Sequence, residues 1–282
     1  MAENILVSAA ELDALIGDGR CVVVDCRFDF EEADAGREDW RAGHIPGAVY
    51  ADLNKDLSSP IAPDTGRHPL PDRIRFAAYL ASIGWSPAKL LVAYDEGPLA
   101  IASRLWWLMR YFGQPAALLD GGLPAWRVSG RSLESGDPVP KATEPCELQP
   151  DESMTVDSDT VFRHLHSDDM TLLDARSSER FRGEMETLDT RAGHIPGSLS
   201  RPYGANLEMG RRFKDLAVLR TEFTSMLGDR DPRGVVHTCG SGVTACHNLF
   251  AMELAGLKGT RLYPGSWSEW IRNPERPIET GG

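Results

Sequence analysis

Short apolar runs alternate with helical patterns along the first half of the chain. Three runs of apolar residues, several of them β-branched, have the length of buried strands: Cys21–Asp25, Leu90–Tyr94 and Ala116–Leu119. Apolar residues at helical spacing predict helices over residues 11–16, 73–83 and 101–112. Ser8 precedes the first of these helices, and Glu11 stands three residues after Ser8, which is the pattern of a capping box. Because strands alternate with helices, we expect an α/β fold with a mainly parallel sheet flanked by helices.

A duplicated pattern organises the whole chain. RAGHIPGA at residues 41–48 recurs as RAGHIPGS at 191–198, and other segments align in the same order around it. These are VVVDCR with LLDAR, LLVAYDEG with GVVHTCGS, and LLDGGLPAW with LYPGSWSEW. A collinear series of this length indicates two copies of one domain. We predict a first domain over 1–130, a proline-rich linker over 131–152 and a second domain over 153–282.

The composition is that of a globular protein large enough for two domains, with 282 residues of which 41% are hydrophobic. The formal net charge of −12 argues against nucleic acid or an anionic membrane surface as the main partner. The sequence shows no apolar run long enough to span a membrane and no secretory signal. Five irregularly spaced cysteines without a C-x-x-C pair argue against a disulfide framework or a zinc site. We therefore expect the protein to function in a reducing cytoplasm.

The segment VVHTCGSGVTACH, at residues 235–247, is the strongest candidate for chemistry. A β-type run ends at Cys239, and a loop of glycine and small residues leads from it into a predicted helix. In a parallel sheet, ligand sites lie beyond the carboxyl ends of the strands, where this thiol would stand. Loop N–H groups and the positive end of the helix both favour a thiolate there. The helix dipole contributes about 0.3–1 kcal/mol, or up to ~2 kcal/mol when partly buried, so we expect the loop amides to supply the rest.

Together these features resemble the tandem-domain rhodanese-like sulfurtransferases. The resemblance is carried by the paired GHIPG segments, by DGG..AW and GSW.EW near the domain ends, and above all by CGSGVTAC. It implies two rhodanese-like domains of which only the second keeps the catalytic cysteine, and Asp95 stands in the corresponding position of the first. The loop is similar to that of the members that use 3-mercaptopyruvate. Thiosulfate-preferring members carry basic residues directly after the cysteine, where this chain has Gly240 and Ser241.

The resemblance also implies the residues of the site. Cys239 is the implied nucleophile, and Ser241 and His68 are implied members of a proton relay. The family's relay aspartate aligns with Asn54, and Asp56 is the residue that we expect to replace it. Arg180 matches the arginine to which the family assigns binding of the substrate carboxylate. The further implied substrate-binding residues are Arg191, Gly240, Gly242, Val243 and Thr244.

The implied reaction is a covalent sulfur transfer. The Cys239 thiolate attacks the sulfur of 3-mercaptopyruvate, becomes a persulfide and releases pyruvate. A thiol acceptor such as thioredoxin, or cyanide, then removes the outer sulfur, and neither a metal nor an organic cofactor is needed.

Three other functions remain to be weighed. Thiosulfate:cyanide sulfurtransfer would use the same persulfide. A cysteine phosphatase of related fold would need a longer loop ending in arginine to clamp phosphate, and the residue six positions after Cys239 is Ala245. A non-enzymatic persulfide carrier would take sulfur from a protein donor without turning over a small molecule.

Overall fold

A computed structural model describes residues 4–32, 34–165, 167–209 and 211–282. Its contacts divide the chain into two compact units. Unit 1 comprises Met1–Ser59, Leu70–Asp151 and Met209–Arg212, and unit 2 comprises Pro60–Pro69, Glu152–Glu208 and Phe213–Gly282. The units follow the two halves of the chain, except that short segments are exchanged. The boundaries of the linker remain a prediction.

Unit 1 is built on a parallel sheet of five strands in the order β1-β5-β4-β2-β3. The strands are β1 (Leu6–Val7), β2 (Cys21–Asp25), β3 (Val49–Tyr50), β4 (Leu90–Tyr94) and β5 (Ala116–Leu119). The helices are α1 (Ala9–Gly17), α2 (Ala35–Ala42), α3 (Arg73–Ser82), α4 (Ala102–Tyr111) and α5 (Gly122–Val128). The three predicted strands are confirmed at the predicted bounds.

Local chemistry explains where these elements begin. The Ser8 side chain accepts a hydrogen bond from the Glu11 amide, and the Glu11 carboxylate accepts one from the Ser8 amide, so the predicted capping box is confirmed.

Buried apolar residues from the strands and from the segment after α2, among them Val23, Val92 and Ile45, form one core with Trp126. The proline-rich residues 135–151 that follow contain no helix or strand, as prolines without N–H donors favour.

Unit 2 repeats this plan with a parallel sheet in the order β7-β6-β8-β9. Its strands are β6 (Thr171–Asp174), β7 (Leu199–Ser200), β8 (Val235–Thr238) and β9 (Arg261–Leu262). Its helices are α6 (Ser158–Arg163), α7 (Ser178–Arg182), α8 (Leu216–Leu227), α9 (Ala245–Leu254) and α10 (Ser266–Trp270). Three short 3-10 turns lie at Glu152–Met154, Tyr203–Asn206 and Pro232–Gly234. The predicted α/β class with parallel sheets is confirmed.

The repeat is visible in the packing of both units. In unit 1 the Asp25 carboxylate at the end of β2 pairs with Arg27, and in unit 2 Asp174 at the end of β6 pairs with Arg176 in the same manner. Both ion pairs are buried. No helix among the described residues is long and apolar enough to cross a membrane.

Candidate active site

Cys239 stands at the carboxyl end of β8, the strand flanked by β6 and β9. Its thiol is buried, with 2% of the residue exposed. The amide N–H of Gly242 donates a hydrogen bond to Sγ over 3.2 Å, and α9 begins at Ala245, directly after the loop. An N–H donor and a helix N-terminus both favour negative charge on the sulfur. The expected helix follows the loop, and of the loop amides that of Gly242 donates to the sulfur.

Main-chain contacts with the start of α10 fix the shape of the loop. The Cys239 amide donates to Oγ of Ser266, and the amides of Trp267 and Ser268 donate to the carbonyls of Cys239 and Gly240. Gly242 has φ +75°, and a Cβ at this position would lie 2.2 Å from the carbonyl oxygen of Pro264. Only glycine can adopt this left-handed conformation so close to a neighbouring main chain.

His68 and Ser241 form a close polar pair beside the cysteine loop. Nδ1 of His68 lies 2.7 Å from Oγ of Ser241, and both residues are buried. His68 belongs to the segment Pro60–Pro69 of unit 2. This segment approaches α10 closely, since a Cβ on Gly66 would lie 2.5 Å from the Gly265 carbonyl oxygen. The structure thus brings together two of the three predicted relay residues.

Two guanidinium groups lie over Gly240, the residue after the cysteine. A Cβ built on Gly240 would lie 2.9 Å from Nη2 of Arg67 and 3.6 Å from both terminal nitrogens of Arg180. Arg180 was predicted for this place, whereas Arg67 was not. Its only signal in the sequence is its position next to His68 in GRHPLP. Paired guanidiniums favour binding of a carboxylate.

The two arginines are the start of a network of alternating charges. Asp189 contacts Nη1 of Arg67 with one oxygen and Nη2 of Arg180 with the other, at 3.1 Å for Arg180. Glu186 accepts two further bonds from Nη2 of Arg180, at 2.8 and 3.0 Å, and lies 3.6 Å from Nη1 of Arg176. The last ion pair of the network joins Nη2 of Arg176 to Oδ2 of Asp174, at 2.7 Å.

Burial and pairing act against each other in this network. Burial raises the pKa of Asp189, although Arg67 and Arg180 oppose it. Burial also acts against the ionised form of Glu186, but hydrogen bonds from Arg180 and from the Leu188 amide leave its pKa lowered. The pKa of Arg176 is raised, because the pair with Asp174, aided by Glu186 and Cys239, outweighs its burial. Arg176 is therefore held in its charged form within the network.

The remaining predicted residues occupy different surroundings. The main-chain carbonyl of Arg191 accepts a hydrogen bond of 2.9 Å from the indole of Trp267. Val243 is buried, and Thr244 is the last residue before α9. Asp56 lies in unit 1, where its carboxylate accepts a hydrogen bond from the Asp52 amide and burial raises its pKa. Within the described ranges, no three His, Cys, Asp or Glu side chains are grouped to hold a metal ion.

The corresponding loop of unit 1 holds an anion of its own. Asp95 follows β4 as Cys239 follows β8, and its carboxylate is buried. Its two oxygens accept hydrogen bonds from the amides of Gly97, Leu99, Ile101 and Ala102, at 2.8–3.4 Å. Four N–H donors converging on one carboxylate are an anion-binding concavity filled from within. The first copy therefore has a carboxylate in the position where the second copy has its thiol.

Known proteins resemble the chain over nearly its whole length. The family model of the rhodanese-like domain matches residues 8–129 and 158–273. A Pseudomonas aeruginosa protein named probable 3-mercaptopyruvate sulfurtransferase is 43% identical, with both chains fully covered. A Mycobacterium tuberculosis protein described as a thiosulfate sulfurtransferase is 36% identical, covering 99% of this chain and 98% of that protein. The solved 3-mercaptopyruvate sulfurtransferase of Leishmania major superposes with TM-score 0.86 at 27% identity, covering 97% of this chain and 76% of that one.

Proposed function

Because the chain belongs to the rhodanese-like domain family, we propose that it is a sulfurtransferase that moves sulfur from 3-mercaptopyruvate to a thiol acceptor through a persulfide on Cys239. One observation carries this proposal. The Cys239 thiol, the His68–Ser241 pair and the guanidiniums of Arg67 and Arg180 converge on a single loop of unit 2. A nucleophile, a proton carrier and a carboxylate site are the three parts that the reaction requires.

The first half-reaction forms the persulfide. The Cys239 thiolate attacks the sulfur of 3-mercaptopyruvate, so that an S–S bond forms while the C–S bond breaks. The electron pair of the C–S bond goes to the carbon and gives the enolate of pyruvate, which takes up a proton at that carbon. The Gly242 amide stabilises the anionic sulfur before and after the transfer.

Substrate binding and proton transfer are assigned to the groups around the loop. Arg180 and Arg67 hold the substrate carboxylate over Gly240. The Gly242 amide contacts the cysteine sulfur, and the amides of Gly240, Val243 and Thr244 are proposed to complete the sulfur site. His68 and Ser241 take the proton that leaves the sulfur of the donor and deliver it to the carbon of the enolate. Arg191 is proposed to support the substrate site through its main chain. Asp56, whose carboxylate accepts from the Asp52 amide in unit 1, is assigned no step of the reaction.

The second half-reaction restores the enzyme. An acceptor thiolate attacks the outer sulfur of the persulfide, which breaks the S–S bond and returns the Cys239 thiolate. A dithiol protein such as thioredoxin is the acceptor that we propose, and a reducing cytoplasm is the matching compartment. The five cysteines are all unbridged, as reducing conditions require.

Thiosulfate sulfurtransfer is the second candidate, favoured by the name of the Mycobacterium tuberculosis relative. Thiosulfate is a compact dianion that needs uncompensated positive charge beside the thiol. Here Gly240 and Ser241 stand directly after the cysteine, and Asp189 and Glu186 neutralise the nearby arginines. These features support the monoanionic donor.

Intact-mass analysis after separate exposure to 3-mercaptopyruvate and thiosulfate tests the proposal. We expect a gain of one sulfur atom that forms faster with 3-mercaptopyruvate, releases pyruvate and is absent in Cys239→Ser. Cys246→Ser is the matched control, because that buried thiol contacts the Gly242 carbonyl and should be dispensable. Faster loading by thiosulfate would favour the second candidate, and a persulfide without pyruvate release would favour a sulfur carrier.

A further inference from the structure

Asp189 lies between the two arginines that are proposed to hold the substrate carboxylate. One oxygen contacts Arg67 and the other contacts Arg180, so the side chain bridges both guanidiniums. Its side chain is 4% exposed, as is that of Glu186, whereas Arg180 and Arg67 are 17% and 26% exposed. The two carboxylates are therefore more deeply buried than the two arginines that they pair with.

The formal charges of the network cancel. Arg67, Arg180 and Arg176 contribute three positive charges, and Asp189, Glu186 and Asp174 contribute three negative ones. A donor that binds over Gly240 therefore enters a site that has guanidinium donors but no net positive charge. Such a site provides directed hydrogen bonds for one carboxylate and little additional attraction for a second negative charge.

We propose that Asp189 determines donor selection, because its carboxylate cancels one arginine charge and so favours a monoanionic sulfur donor over a dianionic one. The inference rests on the proposed function, since it concerns the same site. Asp189 acts through the two arginines and is a specificity-determining residue that does not itself react. The position of Asp189 in the network, bonded to both arginines that face the loop, distinguishes it from Glu186 and Asp174.

Removal of this charge should help a dianion more than a monoanion. Each negative charge of the ligand gains one additional Coulomb interaction with the uncompensated arginine, and a dianion gains two. With screening between that of a protein surface and that of bulk water, one such interaction over several ångströms changes binding by about tenfold. Asp189→Asn should therefore raise the ratio of kcat/KM for thiosulfate to kcat/KM for 3-mercaptopyruvate by about tenfold.

Steady-state kinetics with both donors test the inference, using cyanide as the common acceptor. Glu184→Gln is the matched control, because Glu184 lies in the same segment, is exposed and pairs with the surface residue Arg182. The control should leave the donor ratio unchanged. An equal fall for both donors in Asp189→Asn would show that Asp189 only positions the arginines, and an unchanged ratio would also overturn the inference.

A second measurement does not depend on any variant. Oxamate and oxalate have nearly the same shape but carry one and two negative charges, so their inhibition constants against 3-mercaptopyruvate report the charge preference directly. We expect oxamate to inhibit the unaltered protein more strongly, and stronger inhibition by oxalate would overturn the inference. Failure of 3-mercaptopyruvate to place sulfur on Cys239 would instead refute the proposed function.

Discussion

Nδ1 of His68 lies 2.7 Å from Oγ of Ser241, although 173 positions separate the two residues in the chain. The contact forms within unit 2, because the segment Pro60–Pro69 packs with that unit. A histidine held against a serine beside a nucleophile can pass a proton to a carbanion. The two donors differ here, since only 3-mercaptopyruvate leaves a carbon that must be protonated.

We predict that His68→Gln lowers kcat with 3-mercaptopyruvate by about 10²- to 10⁴-fold, the usual contribution of general acid–base catalysis. The rate with thiosulfate should fall much less, because sulfite leaves without carbon protonation. Ser241→Ala should show the same donor dependence, and the double variant should be little worse than either single one. His164→Gln at the end of α6 is the control. Equal losses with both donors would contradict a role in proton transfer.

Substitution of Arg180 should affect binding of the donor more than turnover. Arg180→Lys loses the fork of two parallel N–H donors, so KM for 3-mercaptopyruvate should rise about tenfold or more with a smaller change in kcat. Arg67→Lys should act in the same direction. Arg182→Lys, in the same helix but paired with Glu184 at the surface, should change neither constant. Steady-state kinetics check the expectation, and an unaltered KM in Arg180→Lys would exclude the carboxylate site.

Gly242→Ala should damage the loop itself. The new Cβ would have to occupy a left-handed residue and would approach the Pro264 carbonyl oxygen to 2.2 Å unless the loop moved. Such strain costs on the order of 1–3 kcal/mol, and a displaced loop would withdraw the amide that faces Sγ. We expect loss of persulfide formation, measured by intact mass. Gly204→Ala meets no atom within 4 Å and is the control. Full activity in Gly242→Ala would contradict this role of the loop.

His237 should make the protein sensitive to acid. Both ring nitrogens are buried without a hydrogen-bond partner among the described residues, and burial lowers the pKa of His237 to about 3. The unfolded chain binds this proton at pH below about 6.5, and the folded one does not. His237 therefore costs no stability above about pH 6.5, and below that pH it lowers the free energy of unfolding by about 1.4 kcal/mol per pH unit towards pH 3.

His237→Leu removes this dependence. Denaturant unfolding at pH about 7 and about 5 should show a smaller loss of stability in the variant than in the parent protein. The comparison is one of slopes, so the acidic residues, which titrate in both proteins, do not affect it. Identical slopes would mean that His237 is protonated within the fold.

Asp95 should stabilise unit 1 without contributing to sulfur transfer. Asp95→Ala leaves four buried amides without their acceptor, which should cost about 2–4 kcal/mol, while Asp95→Asn keeps one oxygen and should cost less. The Cys239 persulfide should still form in both variants. Denaturant unfolding and intact mass provide the two readouts. A loss of persulfide with unchanged stability would contradict this assignment.

The sequence predicts best those features that depend on neighbours in the chain. The strands over Cys21–Asp25 and Leu90–Tyr94 were found at their predicted bounds, because parallel strands buried on both faces are continuous apolar runs. The alignment of Asp95 with Cys239 followed from the repeat. Arg67 could not be found in this way, because its significance arises only when Pro60–Pro69 packs with unit 2. Asp189 has no local signal either, since its role depends on two arginines from different segments.

The stretch Pro60–Pro69 also bears on why a seemingly dispensable copy persists after gene duplication. A fragment that starts at residue 153 would contain Cys239 and its loop but would lack the imidazole of His68 and the guanidinium of Arg67. The first half of the chain is therefore required, because the second domain depends on a segment that the first half supplies. Expressed separately, the two halves should regain activity only by complementation, as the pieces of a split enzyme do.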